Sequence, residues 1–460
     1  MKFAEKFERA FRLLLPSPFT IAVLLTLLTF VLAFVFGHFN ENTNKPLQIL
    51  DYWYQGIWNA PLLVFALQMM LILVLGHTLA LAKPISQFIE HLSNYLKTPA
   101  QAAFTVCFCT LLVAFFNWGL GLIFGAILAR KTGEHFARNN LKINYAVLGA
   151  AGYSGLMVWH GGLSGSAPVK VIEPGHLTQL MGGILNPSQL ALLPTSIPFN
   201  QTIFSSMNFS AAILLLLILP SSLAWLAHRS SKAVPTFPSL TVSAIAEDKT
   251  AHGAERLDKT KWLGSLFGLL ILAYCFSLAW RSTSTFGFIT LNFLNFSLLG
   301  LGLIFHQNIR NFLKALDDAI GGASGILVQF PLYFGIMGIM SSSGLIQQIS
   351  DYFISIASPQ SFPILSLFSA GLVNIFVPSG GGQWAIQGPI LVTAAQNLGV
   401  ALPKSIMALA YGDQLTNMLQ PFWALPLLAI TGLKAKEIIP YTLILMGLGI
   451  LIFVGVLMIF

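Results

Sequence analysis

The chain has 460 residues, of which 55% are hydrophobic and 9% charged, and a formal net charge of +8. Soluble proteins carry about 25% charged residues, so this composition excludes a soluble enzyme and reads as an all-α polytopic membrane protein. The excess Lys and Arg sit in short loops, where they set membrane orientation, so no nucleic-acid partner is expected.

The length accommodates about ten transmembrane helices of about 20 residues each. Residues 19–36 form the first, behind Lys2, Lys6, Arg9 and Arg12, which place the N-terminus in the cytoplasm. No small-residue cleavage site follows, so this is a retained helix rather than a signal peptide. Residues 37–59 carry only Lys45 and read as an external loop, and 60–82 return the chain to the basic 83–97 loop inside. Residues 99–129 start and end on the inner side and are too short for two full spans, so they read as a re-entrant hairpin with its tip at Asn117-Trp-Gly-Leu-Gly121. The three cysteines, Cys107, Cys109 and Cys275, lie in apolar stretches. They show neither metal-ligand spacing nor a disulfide framework, and no cofactor is expected.

Residues 145–159 leave the cytoplasm and break at His160-Gly-Gly-Leu-Ser-Gly-Ser-Ala-Pro168. An external loop, 169–200, precedes a return span at 203–226. Residues 228–261 form a polar cytoplasmic linker, and 262–280 a linking transmembrane helix. In the second half, 286–305 cross inward, 306–318 form an inner loop, 320–340 cross outward and 341–361 lie outside. A hairpin over 362–397 starts and ends outside. A second broken helix, 404–433, is interrupted near 417–421, and 438–460 form the last span, leaving the C-terminus periplasmic.

Each half therefore reads span, span, hairpin, broken helix, span, and the helix at 262–280 inverts the second half relative to the first. The halves are 1–227, with hairpin 99–129 and broken helix 145–168, and 281–460. Two inverted-topology repeats with paired hairpins and broken helices are the layout of a secondary transporter.

The most informative stretch is Asn374-Ile-Phe-Val-Pro-Ser-Gly-Gly-Gly-Gln-Trp384, a polar break between apolar arms. Irregular backbone at membrane depth survives only if it is buried in protein or lines a wet cavity. Gly380, Gly381 and Gly382 are expected to turn the chain with positive φ and to leave Ser379, Gln383 and free N–H groups at the start of a short helix. The expected substrate contacts come from both tips and the first break: Asn117, Trp118, Gly119, Ser164, Ser166, Asn374, Ser379, Gly380, Gly381, Gly382, Gln383 and Trp384. Asp413 is a carboxylate inside a span, which costs at least about 2.5 kcal/mol and points to a functional position, the plainer alternative being a carboxylate hydrogen-bonded at a helix interface or lying near the membrane surface. With Asn417 it suits Na⁺, or it carries a proton; His160 is a further proton-carrying candidate. Asn117 and Asn374 have a plainer alternative as caps of half-helix ends. No Lys or Arg lies in the central half of any span, so a bound anion relies on helix N-termini, hydroxyls and amides. That suits one small carboxylate, with a cation supplying positive charge.

Residues 377–389, Gly325-Ile-Leu-Val-Gln-Phe-Pro-Leu-Tyr-Phe-Gly335, Asn117-Trp-Gly-Leu-Gly121 and Gln420-Pro-Phe-Trp-Ala-Leu-Pro426 resemble the short-chain fatty acid transporter family typified by the bacterial AtoE protein. The resemblance spans nearly the whole chain. It implies uptake of short-chain monocarboxylates such as butyrate or acetoacetate across a bacterial cytoplasmic (inner) membrane. It also implies kinship with the ion transporter superfamily, coupling to H⁺ or Na⁺, and, by analogy, a homodimer. Asp413 stands where the resemblance leads one to expect Glu, and His160 where it leads one to expect Gly. The competing readings are a dicarboxylate carrier or cation antiporter, a passive channel, and an intramembrane hydrolase with Ser379 as nucleophile and His160 as base.

Overall fold

The computed structural model describes residues 16–39, 44–85, 87, 91, 95–182, 185, 187–231, 233–235, 253–282 and 288–460. The basic residues before position 16, much of the 83–97 loop and the middle of the 228–261 linker lie outside the described residues.

Helices start where the sequence supplies a cap. Ser17 accepts the Thr20 N–H ahead of α1 (Pro18–Phe36), and Pro18 sits where a missing N–H costs nothing. Asn44 and Asn59 cap α2 (Lys45–Ile57) and α3 (Ala60–Leu81) in the same way. A Thr98–Gln101 capping box opens α4 (Pro99–Phe116), and after the single extended residue Asn117 the chain continues as α5 (Trp118–Arg138). These two helices run antiparallel in close contact. A Cβ on Gly121 would lie 2.7 Å from the Ala114 backbone, and Gly125 faces Thr110 at 2.8 Å.

The first broken helix differs from expectation. α6 (Tyr145–Tyr153) ends before His160 and continues as two 3₁₀ turns, Ser154–Met157 and Trp159–Gly161. Short helices then lead to α7 (Ser206–Ser230). The second half comprises α8 (Lys261–Arg281), α9 (Leu291–His306), α10 (Ile309–Ile320), α11 (Ser324–Ser342), α12 (Leu345–Ser355), α13 (Phe362–Phe376), α14 (Gly380–Leu398), α15 (Leu402–Thr416), α16 (Pro421–Thr431) and α17 (Ala435–Ile459). The interruption between α15 and α16 is a 3₁₀ turn, Asn417–Leu419, where the sequence placed it.

No strand occurs among the described residues, and seven helical stretches are long and apolar enough to cross a membrane. α9, α13 and α16 are apolar but shorter. This is an all-helical, multi-pass membrane protein.

Three segments read as loops contain helices. In the 37–59 loop, α2 packs on α11, and its Gly56 sits against the backbone of Phe334, Gly335 and Gly338. In the 306–318 loop, α10 buries Phe312, Ala315 and Ala319 on one face and leaves its charges on the other. The 341–361 segment holds α12. The glycine triplet also corrects the sequence reading. None of Gly380, Gly381 and Gly382 has positive φ; they form the first turn of a 19-residue helix. The break itself is Val377-Pro378-Ser379.

Candidate functional site

The two broken helices meet side by side. Tyr153, the last residue of α6, shares its hydroxyl hydrogen between the carbonyls of Asn417 at 2.8 Å and Gln420 at 3.1 Å. In the second 3₁₀ turn that follows, the His160 N–H donates to Gln414 Oε1 at 3.0 Å. His160 Nε2 lies 3.1 Å from Asp413 Oδ1, and the two side chains are 0% and 1% exposed. The His160 Nδ1 accepts the Ser166 N–H at 3.3 Å. A neutral ring therefore carries its proton on Nε2, the nitrogen facing the carboxylate. The pair is close but poorly aligned for a hydrogen bond.

Asn374, near the end of α13, is the hub of the second break. Its Nδ2 lies within donor distance of the Asp413 carbonyl (2.8 Å), Asn417 Oδ1 (2.9 Å) and Thr416 Oγ1 (3.0 Å), and its own carbonyl accepts from Gln420 Nε2. This cluster is buried yet leaves Asn374 Oδ1, Asp413 Oδ2 and Gln420 Oε1 without a partner, against two partnerless donors, Asn417 Nδ2 and His160 Nε2. Each partnerless buried group costs about 1–3 kcal/mol, so the acceptor surplus favours a cation or proton.

The loop after His160 ties both hairpin tips to this centre. Ser164 Oγ accepts the Trp118 N–H at 2.9 Å, which fixes the first tip. Ser166 and the His160 ring sit against Gly380, where a Cβ would lie 2.8 Å from Ser166 Oγ and 2.6 Å from the imidazole. Here a glycine is required for close approach rather than for its backbone freedom.

The remaining candidates are placed less centrally. Asn117 Oδ1 and Ser379 Oγ cap α5 and α14, accepting from Leu120 N and Gly382 N. Gly119 faces Ile72 and Leu291, and Gly382 approaches Met337. Gly381 is exposed, with nothing near it. Gln383 points back into its own hairpin, to the Ala370 carbonyl and Gln387. Trp384 Nε1 donates to His176 Nε2 at 3.0 Å, which anchors the 167–201 segment. No hydrogen bond joins Ser379 to His160 among the described residues.

Sequence reasoning missed Gln414, Tyr153 and Tyr333. Gln414 is adjacent to Asp413 and Tyr153 directly precedes the break, so adjacency to polar interruptions was the available signal. Beside the polar centre lies an aromatic cluster. Trp118 contacts Trp159 and Trp423, with ring centroids 5.8 and 5.1 Å apart, and Phe330 stacks on Phe422 at 3.9 Å. Phe65 of α3 touches Trp118, Phe330 and Trp423. The buried donors Trp159 Nε1 and Tyr333 Oη have no partner in this cluster.

The sequence profile of the short chain fatty acid transporter family matches residues 2–460. The chain belongs to that family. A protein of Escherichia coli that carries a provisional name as a short-chain fatty acid transporter is 37% identical over 447 residues, covering 96% of each chain. A similarly named protein of Haemophilus influenzae is 36% identical over 433 residues, covering 93% of this chain and 92% of its own. Among solved structures, the Alcanivorax borkumensis YdaH transporter aligns over 95% of this chain and 98% of its own, at 16% identity and a TM-score of 0.45. Neisseria gonorrhoeae MtrF, described as illuminating a class of antimetabolite efflux pumps, aligns over 99% and 97%, at 14% identity and a TM-score of 0.44. Likeness at that level fixes neither fold nor site. Membership in the short-chain fatty acid transporter family gives the chain a small-molecule substrate and a lipid bilayer as its surroundings.

Proposed function

We propose that this short-chain fatty acid transporter is a secondary active carrier that takes up short monocarboxylates, butyrate or acetoacetate among them, across the bacterial inner membrane together with H⁺ or Na⁺. The observation that carries this reading is the buried His160–Asp413 pair beside an acceptor-rich cluster, at the meeting point of both breaks and next to an aromatic wall. Asp413, Asn374 and Gln420 offer oxygens to the cation, and the partnerless donors Asn417 Nδ2 and Trp159 Nε1 suit the carboxylate. Trp118, Trp159 and Trp423 offer apolar surface to a short acyl tail. No fixed cation lies in this cluster, so the co-transported ion balances the charge of the substrate.

Motion of the hairpins and broken helices as one unit against the other helices would carry the site across, with the halves related as inverted repeats. The test is uptake of labelled butyrate into proteoliposomes in the presence of excess unlabelled acids. Competition by acetoacetate and not by succinate is expected. Competition by succinate alone would assign the chain to dicarboxylates, and no accumulation against a gradient would leave only passive passage.

A further inference from the structure

A cavity of about 720 Å³ opens beside Pro18 of α1, Ser324 of α11 and Ala435 of α17. Its polar lining comes from Ser17, Ser324, Gln329, Lys434 and Lys436, with no carboxylate among the lining residues. Glu437, which follows the lining residue Lys436, accepts the Lys434 N–H at 2.8 Å. Arg130 stands behind the same corner, donating to the Thr431 carbonyl and paired with Glu134. Lys434 and Lys436 give the cavity rim a positive potential; α11 continues from α10 through a 3₁₀ turn and α16 ends at the same corner, so the helix dipoles there do not add to it.

Two helices, α11 and α16, run from the lining of this cavity to the aromatic cluster of the candidate site. On α11, Gly325 and Gln329 line the cavity, and the next residue, Phe330, is in the aromatic cluster. On α16, Leu425, Leu428 and Ala429 line it, and one turn earlier Phe422 stacks on Phe330 at 3.9 Å. At the inner end, Gln329 Oε1 is buried without a partner. Gln329 and the Phe330–Phe422 pair thus lie along the same two helices, and the lysines follow the end of α16.

We propose that this cavity is the vestibule through which the monocarboxylate enters or leaves on the Lys434 and Lys436 face. There it holds the anion until the Phe330–Phe422 stack parts. The inference rests on the monocarboxylate reading above and adds the route and the groups that line it. The lysines raise the local concentration of the anion at one face only, so they act on apparent affinity from that face.

The test uses the full chain in right-side-out and everted membrane vesicles, with labelled butyrate as the probe. Lys434→Gln combined with Lys436→Gln should raise the half-saturating concentration about two- to fivefold from one face, and less so in high salt. From the other face it should not change. No change from either face, or an equal rise from both, would overturn the vestibule. Failure of the unaltered chain to move butyrate would instead reject the monocarboxylate reading. A second measurement is independent of transport. Gln329→Cys should react from one face with a negatively charged methanethiosulfonate, faster than with a positively charged one after scaling to free cysteine, against the unaltered chain as background. Absence of labelling, or a preference for the positive reagent, would also overturn the vestibule.

Discussion

His160 Nε2 and Asp413 Oδ1 lie 3.1 Å apart, although they come from opposite halves of the chain, and both side chains are buried. The contact joins the second 3₁₀ turn after α6 to the last turn of α15, just before the second break. Removing one partner strands the other where water does not reach. His160→Ala and Asp413→Ala are each expected to reduce butyrate uptake at least about tenfold in proteoliposomes. The double variant should lose little more, because coupled sites are not additive. Fully additive losses would show that the pair does not act as a unit.

The glycines of the second tip are not equivalent. A methyl group on Gly380 would strike the His160 ring and Ser166, whereas one on Gly381 would meet nothing within 4 Å. Gly380→Ala is therefore expected to abolish uptake while the protein still inserts, and Gly381→Ala to leave uptake within about twofold of the unaltered chain, as exposed substitutions usually do. Equal sensitivity at both positions would remove the His160 contact from the explanation.

Tyr153 holds the two breaks together through the carbonyls of Asn417 and Gln420. Tyr153→Phe keeps the ring and leaves both carbonyls without this donor. The expected cost is about 1–3 kcal/mol, read as a lowered melting temperature of the purified protein in detergent. An unchanged melting temperature would mean that the contact does not stabilise the junction.

The Trp384–His176 bond gives the 167–201 segment a pH dependence. Burial first, and Lys170 after it, lower the His176 pKa below the ordinary 6.5, with Glu173 opposing. The bond needs an unprotonated Nε2 to accept from the indole. A lowered folded-state value means that the stabilisation is complete above 6.5 and is lost as the pH falls below it, because the unfolded segment binds the proton first. Limited proteolysis of the 167–201 segment should accelerate as the pH falls from 8 to 5.5. Trp384→Phe should remove most of that dependence, and an unchanged dependence would reject the assignment.

The interruptions themselves were legible in the sequence, because polar and glycine-rich residues between apolar arms have few places to go in a membrane. Asn117, Ser379 and the 417–419 turn all fall where such breaks were read. The pairing of His160 with Asp413 was not legible, since it depends on two distant breaks converging. The helices α2, α10 and α12 were missed because counting charges treats a polar stretch as a loop. Phe312, Ala315 and Ala319 nevertheless repeat at helical spacing and mark a buried face. The backbone of the glycine triplet was misread because Ser379 already caps the following helix, so the triplet is helical and one member, Gly380, is used for closeness to His160. The bond from the Trp384 indole to His176 was not legible either, since it joins the second hairpin to a distant segment.

The most direct test of a cation-coupled site at Asp413 is accumulation of labelled butyrate in proteoliposomes under a sodium gradient and a proton gradient imposed separately, for the unaltered chain and for Asp413→Asn. Accumulation driven by one of the two gradients, and lost in the variant, is the expected result and names the ion. Accumulation that persists in Asp413→Asn, or none in the unaltered chain under either gradient, would contradict it.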